Sequence, residues 1–359
     1  MKRDITECRV CQGTNLETYL DLGTMPLVNN LPTRPDQQDA RFPLEVKYCN
    51  DCSLSQLGVV VDPSVLFSNY VYRSSISKTF VNHCAELAKT AHDKLGMKEN
   101  DLVIDIASND GCALRQFAPY KVRTLGVDPA QNLASIANKD GISTVPSFWS
   151  PAMADYIMRD KGAAKIVTAM NVFGHVDNIK EFVHGIDRVL ADDGTFIVEV
   201  PYLVDLLKNN IFDTVYHEHL SYFLASPMAK CFSSNGLHIN HVDRIDIHGG
   251  TLRVYAQKKQ NPDASINDLL DREKAEGYLS KDMYWEFQKK ADATRADLVA
   301  MVRGIKSSKK TIAAFGASAK GSIMLNYCKL GPKDISFVVD DTPEKQNKYM
   351  AGTHIPILP

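Results

Sequence analysis

Two short cysteine pairs, Cys8-Arg9-Val10-Cys11 and Cys49-Asn50-Asp51-Cys52, constrain this chain more than any other feature. A Cys-x-x-Cys knuckle sets two thiolates on one tight turn, where both reach adjacent corners of a tetrahedron, and a second knuckle completes it. Zinc lowers thiol pKa values, so all four would bind as thiolates. The spacing therefore predicts a structural Zn2+ site made by Cys8, Cys11, Cys49 and Cys52, closed by four protein ligands and hence not catalytic. Four incidental thiols, or two disulfides in an oxidising compartment, are the alternatives. The first seven residues contain no apolar signal core, which favours a cytoplasmic chain and metal over disulfides. The 37 residues between the knuckles exceed the usual ribbon spacing. Their Gly- and Pro-bearing stretch 21–32 predicts loop, in a loop-rich module over residues 1–75. Cys84, Cys112, Cys231 and Cys328 lack partner spacing and are expected as small buried residues.

A chain of 359 residues has room for two or three domains. With 41 Lys and Arg against 43 Asp and Glu, its net charge of −2 speaks against a broad nucleic-acid or anionic-membrane surface. No apolar stretch approaches the roughly 18 residues of a membrane-spanning helix.

After a helical stripe at Phe80, Cys84, Leu87, Ala91 and Leu95, strands are expected over 102–107, 122–127, 165–169 and 195–200. Helices are expected over 151–159 and 179–190. Strands and helices alternating in this way imply a mostly parallel sheet, with ligands beyond the carboxyl ends of its strands. Asp105, the turn Ser108-Asn109-Asp110-Gly111, Asp128 and Asn171 fall at or near those ends. Asp128 lies 23 residues after Asp105, close to the spacing of acids that accept ribose hydroxyls. A turn with a single glycine disfavours a pyrophosphate-bearing dinucleotide, and an adenosine ligand without phosphates, such as S-adenosylmethionine, fits better. The alternative is an ordinary strand-to-helix loop.

The most unusual segment is Phe212-Asp213-Thr214-Val215-Tyr216-His217-Glu218-His219-Leu220-Ser221-Tyr222, with a further histidine at His175. Histidine is the usual acid–base group near neutral pH, and a neighbouring carboxylate can fix its tautomer. His-Glu-His lacks the spacing that puts two metal-binding histidines on one helical face, and the plain alternative is hydrogen bonding within the core. Beyond a polar linker at 258–262, charged helices are expected over 266–309, then strands at 311–315 and 336–341. Between those strands Gly316, Ala317 and Lys320 open a helix, a natural anion site or a turn kept for packing.

Taken together, these segments resemble the S-adenosylmethionine-dependent sugar C-methyltransferases that act on nucleotide-linked 4-keto deoxysugars. The resemblance covers nearly the whole chain. It rests on Leu22-Gly23 with Pro26-Leu27-Val28-Asn29, Ser108 to Gly111, Asn171-Val172-Phe173-Gly174-His175-Val176 and Glu199-Val200-Pro201-Tyr202. It continues through Phe212 to Tyr222, His248-Gly249-Gly250-Thr251-Leu252-Arg253-Val254-Tyr255 and Phe315-Gly316-Ala317-Ser318-Ala319-Lys320-Gly321. The resemblance implies that His219 is the general base, with Tyr216, Glu218 and His175 around the reacting sugar. It directs Tyr202, His217, His248, Arg253 and Lys320 toward the sugar nucleotide. Two departures stand out: Ala107 occupies a position where the family usually has glycine, and the chain stops earlier than family members usually do.

The resulting expectation is an α/β protein in three parts: a zinc-binding module (1–75), a Rossmann-like methyltransferase domain with a mostly parallel sheet (76–260), and a helical segment plus a shortened Rossmann-like domain (261–359). Its expected reaction is methyl transfer from S-adenosylmethionine to C3 of a nucleotide-linked 4-keto-6-deoxy sugar, without nucleic-acid or membrane partners and compatible with a monomer. A nicotinamide-dependent sugar-nucleotide oxidoreductase and a non-catalytic zinc-ribbon binding protein are the rival readings.

Overall fold

A computed structural model describes residues 2–247 and 249–359. Its organising element is a seven-stranded sheet. Across the sheet the strands run Thr144–Val145, Arg123–Val127, Leu102–Ile106, Ala164–Met170, Leu190–Pro201, Thr251–Gln257 and His238–Ile245. The first five are parallel to their neighbours, and the last two are joined antiparallel. All five residues of Leu102–Ile106 are buried, as a central parallel strand covered on both faces requires. Chain order reverses between Leu102–Ile106 and Ala164–Met170, so the ligand crevice of this sheet opens beyond their carboxyl ends.

The covering helices begin where the sequence supplies caps. Ser150 accepts from Met153 N with Pro151 following, and Asn178 accepts from Glu181 N. Gly162, at φ +84°, ends the helix Pro151–Lys161. The expected helices and strands of this region match within a few residues, except that Leu190–Pro201 starts earlier than its apolar core suggests.

The N-terminal module has more sheet than expected. Leu16–Pro26 and Arg41–Cys49 pair antiparallel, and Ser55–Leu57 adds a third strand. The strand Leu16–Pro26 runs through part of the segment expected as loop. A register shift between Asp21 and Thr24 takes up Gly23 at φ +79°, and Pro26 is tolerated because the strand lies at the sheet edge. The fourth strand of this sheet is Ser221–Tyr222, from the middle of the chain.

Following the helices Ala264–Ala275 and Trp285–Ser307, a three-stranded parallel sheet joins Ala313–Phe315, Phe337–Val339 and Ile357–Leu358, with the helix Ala319–Tyr327 between the first two. One continuous apolar core runs from Leu20 and Val46 through Val198 and Phe223 to Tyr284 and Tyr327, so the N-terminal and central sheets share an interior with the C-terminal helices, while the C-terminal sheet packs Val338 and Ile357 into a separate cluster. Among the described residues, no helix is long and apolar enough to cross a membrane.

Candidate active site

The cysteine knuckles close on each other. Sγ of Cys8 lies 3.5 Å from that of Cys52, Cys11 lies 3.5 Å from Cys49, and all four sulfurs fall within 4.8 Å of one another. Thiolates bound to one zinc at ~2.3 Å stand roughly 3.8 Å apart at tetrahedral corners, so the donor set fits that ion. Both knuckles fold alike. Gln12 and Ser53, each following the second cysteine of its pair, adopt φ +64°, and their N–H groups donate to Cys8 O at 2.9 Å and Cys49 O at 2.8 Å. Gly13 packs where a Cβ would lie 1.9 Å from the Asp51 carboxylate.

The histidine segment passes between this module and the central sheet. Buried Phe212, Val215 and Leu220 hold it, Leu57 N donates to Leu220 O at 2.9 Å, and Ser221–Tyr222 pairs with Ser55–Leu57. His219 Nδ1 lies 2.7 Å from the Thr214 carbonyl. A carbonyl can only accept, so Nδ1 carries the proton and Nε2 presents a lone pair. The ring lies 3.9 Å from that of Tyr216 and 5.0 Å from that of His175, centroid to centroid. His175 ends the short helical turn Phe173–His175 after strand Ala164–Met170, and Phe67 stacks on it at 5.6 Å. Desolvation, with His175 alongside, pushes the His219 pKa well below 6.5, against the favourable Thr214 hydrogen bond. Desolvation brings His175 down to about 4. Both rings are therefore neutral near pH 7. Lys320, at the start of the helix Ala319–Tyr327, acts electrostatically on Asp213 and also depresses His219.

The other two residues of the triplet point elsewhere. Glu218 accepts from Asn29 Nδ2 at 2.6 Å and Tyr70 OH at 2.9 Å, and burial raises its pKa to about 7 against those bonds. Asn29 and Tyr70 are partners that no residue pattern assigned, although Asn29 belongs to the Pro26-Leu27-Val28-Asn29 segment. His217 Nε2 donates to Pro43 O at 3.1 Å, and its ring meets Phe42 edge-on, which ties it to the N-terminal sheet.

The expected ligand residues lie at the ends of the parallel strands. Asp105 accepts from Thr168 OH at 2.6 Å, and burial raises its pKa to about 7. Asp128 accepts from Asn109 N and Ala130 N, each at 2.7 Å, with its pKa raised by burial. Ala107, Asn109 and Asn171 all adopt left-handed φ (+56°, +54° and +56°), as does Gly111 at +79°. A Cβ on Gly111 would meet Ile142 at 3.0 Å. Ser108 Oγ, Asp110 Oδ1 and Asn171 Oδ1 are buried without a protein partner, polar atoms that await a hydrogen bond. A strap over 70–75 crosses this loop: Asn109 accepts from Ser74 N at 3.0 Å and donates to Tyr72 O at 3.1 Å, and Asp110 accepts from the Ser75 hydroxyl.

Besides His217, two further residues expected at the sugar nucleotide lie instead in internal networks. Arg253 donates to Glu199 Oε1 at 2.5 Å, where His83 also donates at 2.7 Å to Oε2, and all three are buried. Tyr202 donates to Glu273 Oε1 at 2.9 Å, and that carboxylate also takes Ala225 N and Ser226 N at the start of helix Ala225–Ser233. A motif marks such residues without telling an anchor from a contact. His248 lies outside the described residues.

Family comparisons agree with this layout. Residues 8–67 match the domain described as "Putative zinc binding domain", residues 80–242 "Methyltransferase domain", and residues 246–359 "C-methyltransferase C-terminal domain". The cysteine cluster is thus the metal site of a zinc-binding domain. Among solved structures, the YcgJ protein of Bacillus subtilis overlaps 50% of this chain and all of its own at TM-score 0.39 and 16% identity. Magnesium protoporphyrin IX methyltransferase of Synechocystis, solved with bound SAM, overlaps 50% of this chain and 79% of its own at TM-score 0.37 and 12% identity. C-methyltransferase NovU of Streptomyces niveus is 38% identical over 99% of this chain and 86% of its own length. With its zinc domain, methyltransferase sheet and C-terminal domain aligned end to end with that relative, the chain belongs to the C-methyltransferase family.

Proposed function

We propose that the protein methylates C3 of a nucleotide-diphosphate-linked 4-keto-6-deoxy sugar, with S-adenosylmethionine as methyl donor and His219 as the base. The observation that carries this is the His219 geometry: Nδ1 is committed to Thr214 O, Nε2 is free, and the ring stays neutral near pH 7. A 4-keto group acidifies the adjacent C3–H. His219 Nε2 takes that proton, and the electron pair of the C–H bond moves into an enolate with charge on the C4 oxygen. Tyr216 OH or His175 N–H donates to that oxygen, where a donor is worth most because charge develops in the transition state. C3 then bonds to the donor's methyl carbon as the methyl–sulfur bond breaks, leaving S-adenosylhomocysteine and a proton on His219. Glu218, fixed by Asn29 and Tyr70, holds the loop on which the base sits. When bound, the donor supplies an electrophilic methyl on sulfur. Asp105, Ser108, Asn109, Asp110, Gly111, Asp128 and Asn171 hold it at the strand ends, a role supported by the unpartnered oxygens of Ser108, Asp110 and Asn171. Lys320 faces the negatively charged substrate from the C-terminal helix, while Tyr202, His217 and Arg253 act as anchors of the surrounding frame.

Incubating the protein with S-adenosylmethionine and a panel of nucleoside-diphosphate hexoses tests the reading. S-adenosylhomocysteine and a methylated sugar should form with the 4-keto-6-deoxy compounds and not with their 4-hydroxy counterparts. Turnover independent of the keto group would overturn it.

A further inference from the structure

One side chain links the metal knuckle to both histidine loops. Arg9 stands between the ligands Cys8 and Cys11, and its side chain is only 3% exposed. Its N–H is held by Gln56 Oε1 at 2.9 Å. From there the guanidinium reaches out of the zinc module. Nη1 donates to Leu57 O at 3.1 Å and to Leu220 O at 3.3 Å, while Nε pairs with Asp177 Oδ1 at 3.3 Å. Leu220 directly follows His219, and Asp177 lies two residues after His175. Arg3, from the strand Lys2–Asp4, also pairs with Asp177. A planar guanidinium offers donors in a fixed fork, so these bonds set the separation of the chain segments they join. Burying such a charge is costly unless it is paired and hydrogen-bonded; Nε and Nη1 are so held, while Nη2 is buried without a partner. Nothing about a closed zinc site requires an arginine inside its knuckle.

We propose that Arg9 is a positioning residue that sets His175 against His219, so that the zinc knuckle fixes the geometry of this histidine pair as well as the fold of its own module. This rests on His219 being the base. The chain of contacts is short: metal-bound turn, Arg9, then Leu220 and Asp177, each within two residues of a histidine. Misplacing a catalytic group by about 1 Å can cost on the order of 100-fold in rate, so a clamp of this kind has a measurable effect.

The test compares Arg9→Met, Arg9→Lys, Asp177→Asn and His219→Asn in the full chain. Three quantities are read: zinc content, S-adenosylhomocysteine affinity, and deuterium uptake at C3 of thymidine-diphosphate-4-keto-6-deoxyglucose. Nitrogen-15 histidine spectra report tautomer and ring environment without any substrate. For Arg9→Met and Asp177→Asn we expect displaced His175 and His219 signals and exchange slowed ~10–100-fold, with cofactor affinity within about twofold of wild type. Arg9→Lys should recover only part, because an ammonium cannot span the fork. Unshifted histidine signals and exchange within about twofold of wild type in Asp177→Asn would overturn the proposal, even if Arg9→Met released its zinc. The underlying assignment fails separately: full exchange in His219→Asn would reject the base itself.

Discussion

His219 and Glu218 are neighbours in the chain, and their environments drive them apart. Desolvation lowers the His219 pKa well below 6.5, so its neutral, proton-accepting form persists into mildly acidic solution. The acidic limb of kcat should therefore fall below pH 6.5, and a limb above neutrality would contradict the assignment. Glu218 moves the other way, from 4.5 to about 7. A carboxyl group with a raised folded pKa contributes stability that is present below pH 4.5 and lost as pH rises through about 7. Glu218→Gln cannot ionise, so its stability relative to wild type should rise across that window by roughly 1–3 kcal/mol. Chemical denaturation at several pH values checks this, and a pH-independent difference would refute it. Ala107 carries a different signature. A left-handed φ of +56° costs a Cβ-bearing residue about 1 kcal/mol, a cost that a glycine would avoid. Ala107→Gly should be neutral to ~1 kcal/mol more stable by thermal melting, the relief of strain being partly offset by chain entropy. Marked destabilisation would show that the alanine methyl is needed for packing.

The parallel strands and their helices were legible in the sequence because each is a local pattern. Leu102–Ile106 is an uninterrupted apolar run, and Pro151 and Asn178 mark helix starts. The edge strand Leu16–Pro26 was not, since Gly23 and Pro26 carry loop signals and only pairing with Arg41–Cys49 overrides them. The two-residue strand Ser221–Tyr222 is too short for any periodicity, and its partner lies far back in the chain. The cysteine knuckles were legible, since metal spacing is a local covalent matter. Their consequence at the element level is that the zinc turn and the His219 loop share one sheet. Cys49→Ser should thus release zinc and lower the melting temperature, and it should also speed amide hydrogen exchange at Ser221–Tyr222 through Ser55–Leu57. Retained zinc, measured by atomic absorption, would show that three sulfurs suffice.

At the scale of the whole molecule, the site is assembled from parts distant in sequence. Asn29 comes from the N-terminal module, Tyr70 from the strap, His175 and His219 from the central region, and Lys320 from the C-terminal helix. Residue types flagged the histidines, but the acceptor that fixes His219 is the backbone carbonyl of Thr214, which no side-chain pattern can announce. For the same reason Tyr202 and Arg253 could be picked from motifs but not separated from the proposed sugar site, since Glu273 and Glu199 claim them only in three dimensions. Assembly across modules also suits a reaction whose substrate and donor must meet in line. The role of His219 is measured most simply by C3 deuterium exchange of a nucleoside-diphosphate-4-keto-6-deoxy sugar in heavy water, with S-adenosylhomocysteine bound in place of the donor. The wild-type protein should exchange the C3 proton, and His219→Asn should lower that rate by ~10²–10⁴-fold while S-adenosylhomocysteine binding is retained. Exchange at the wild-type rate in His219→Asn would contradict the account.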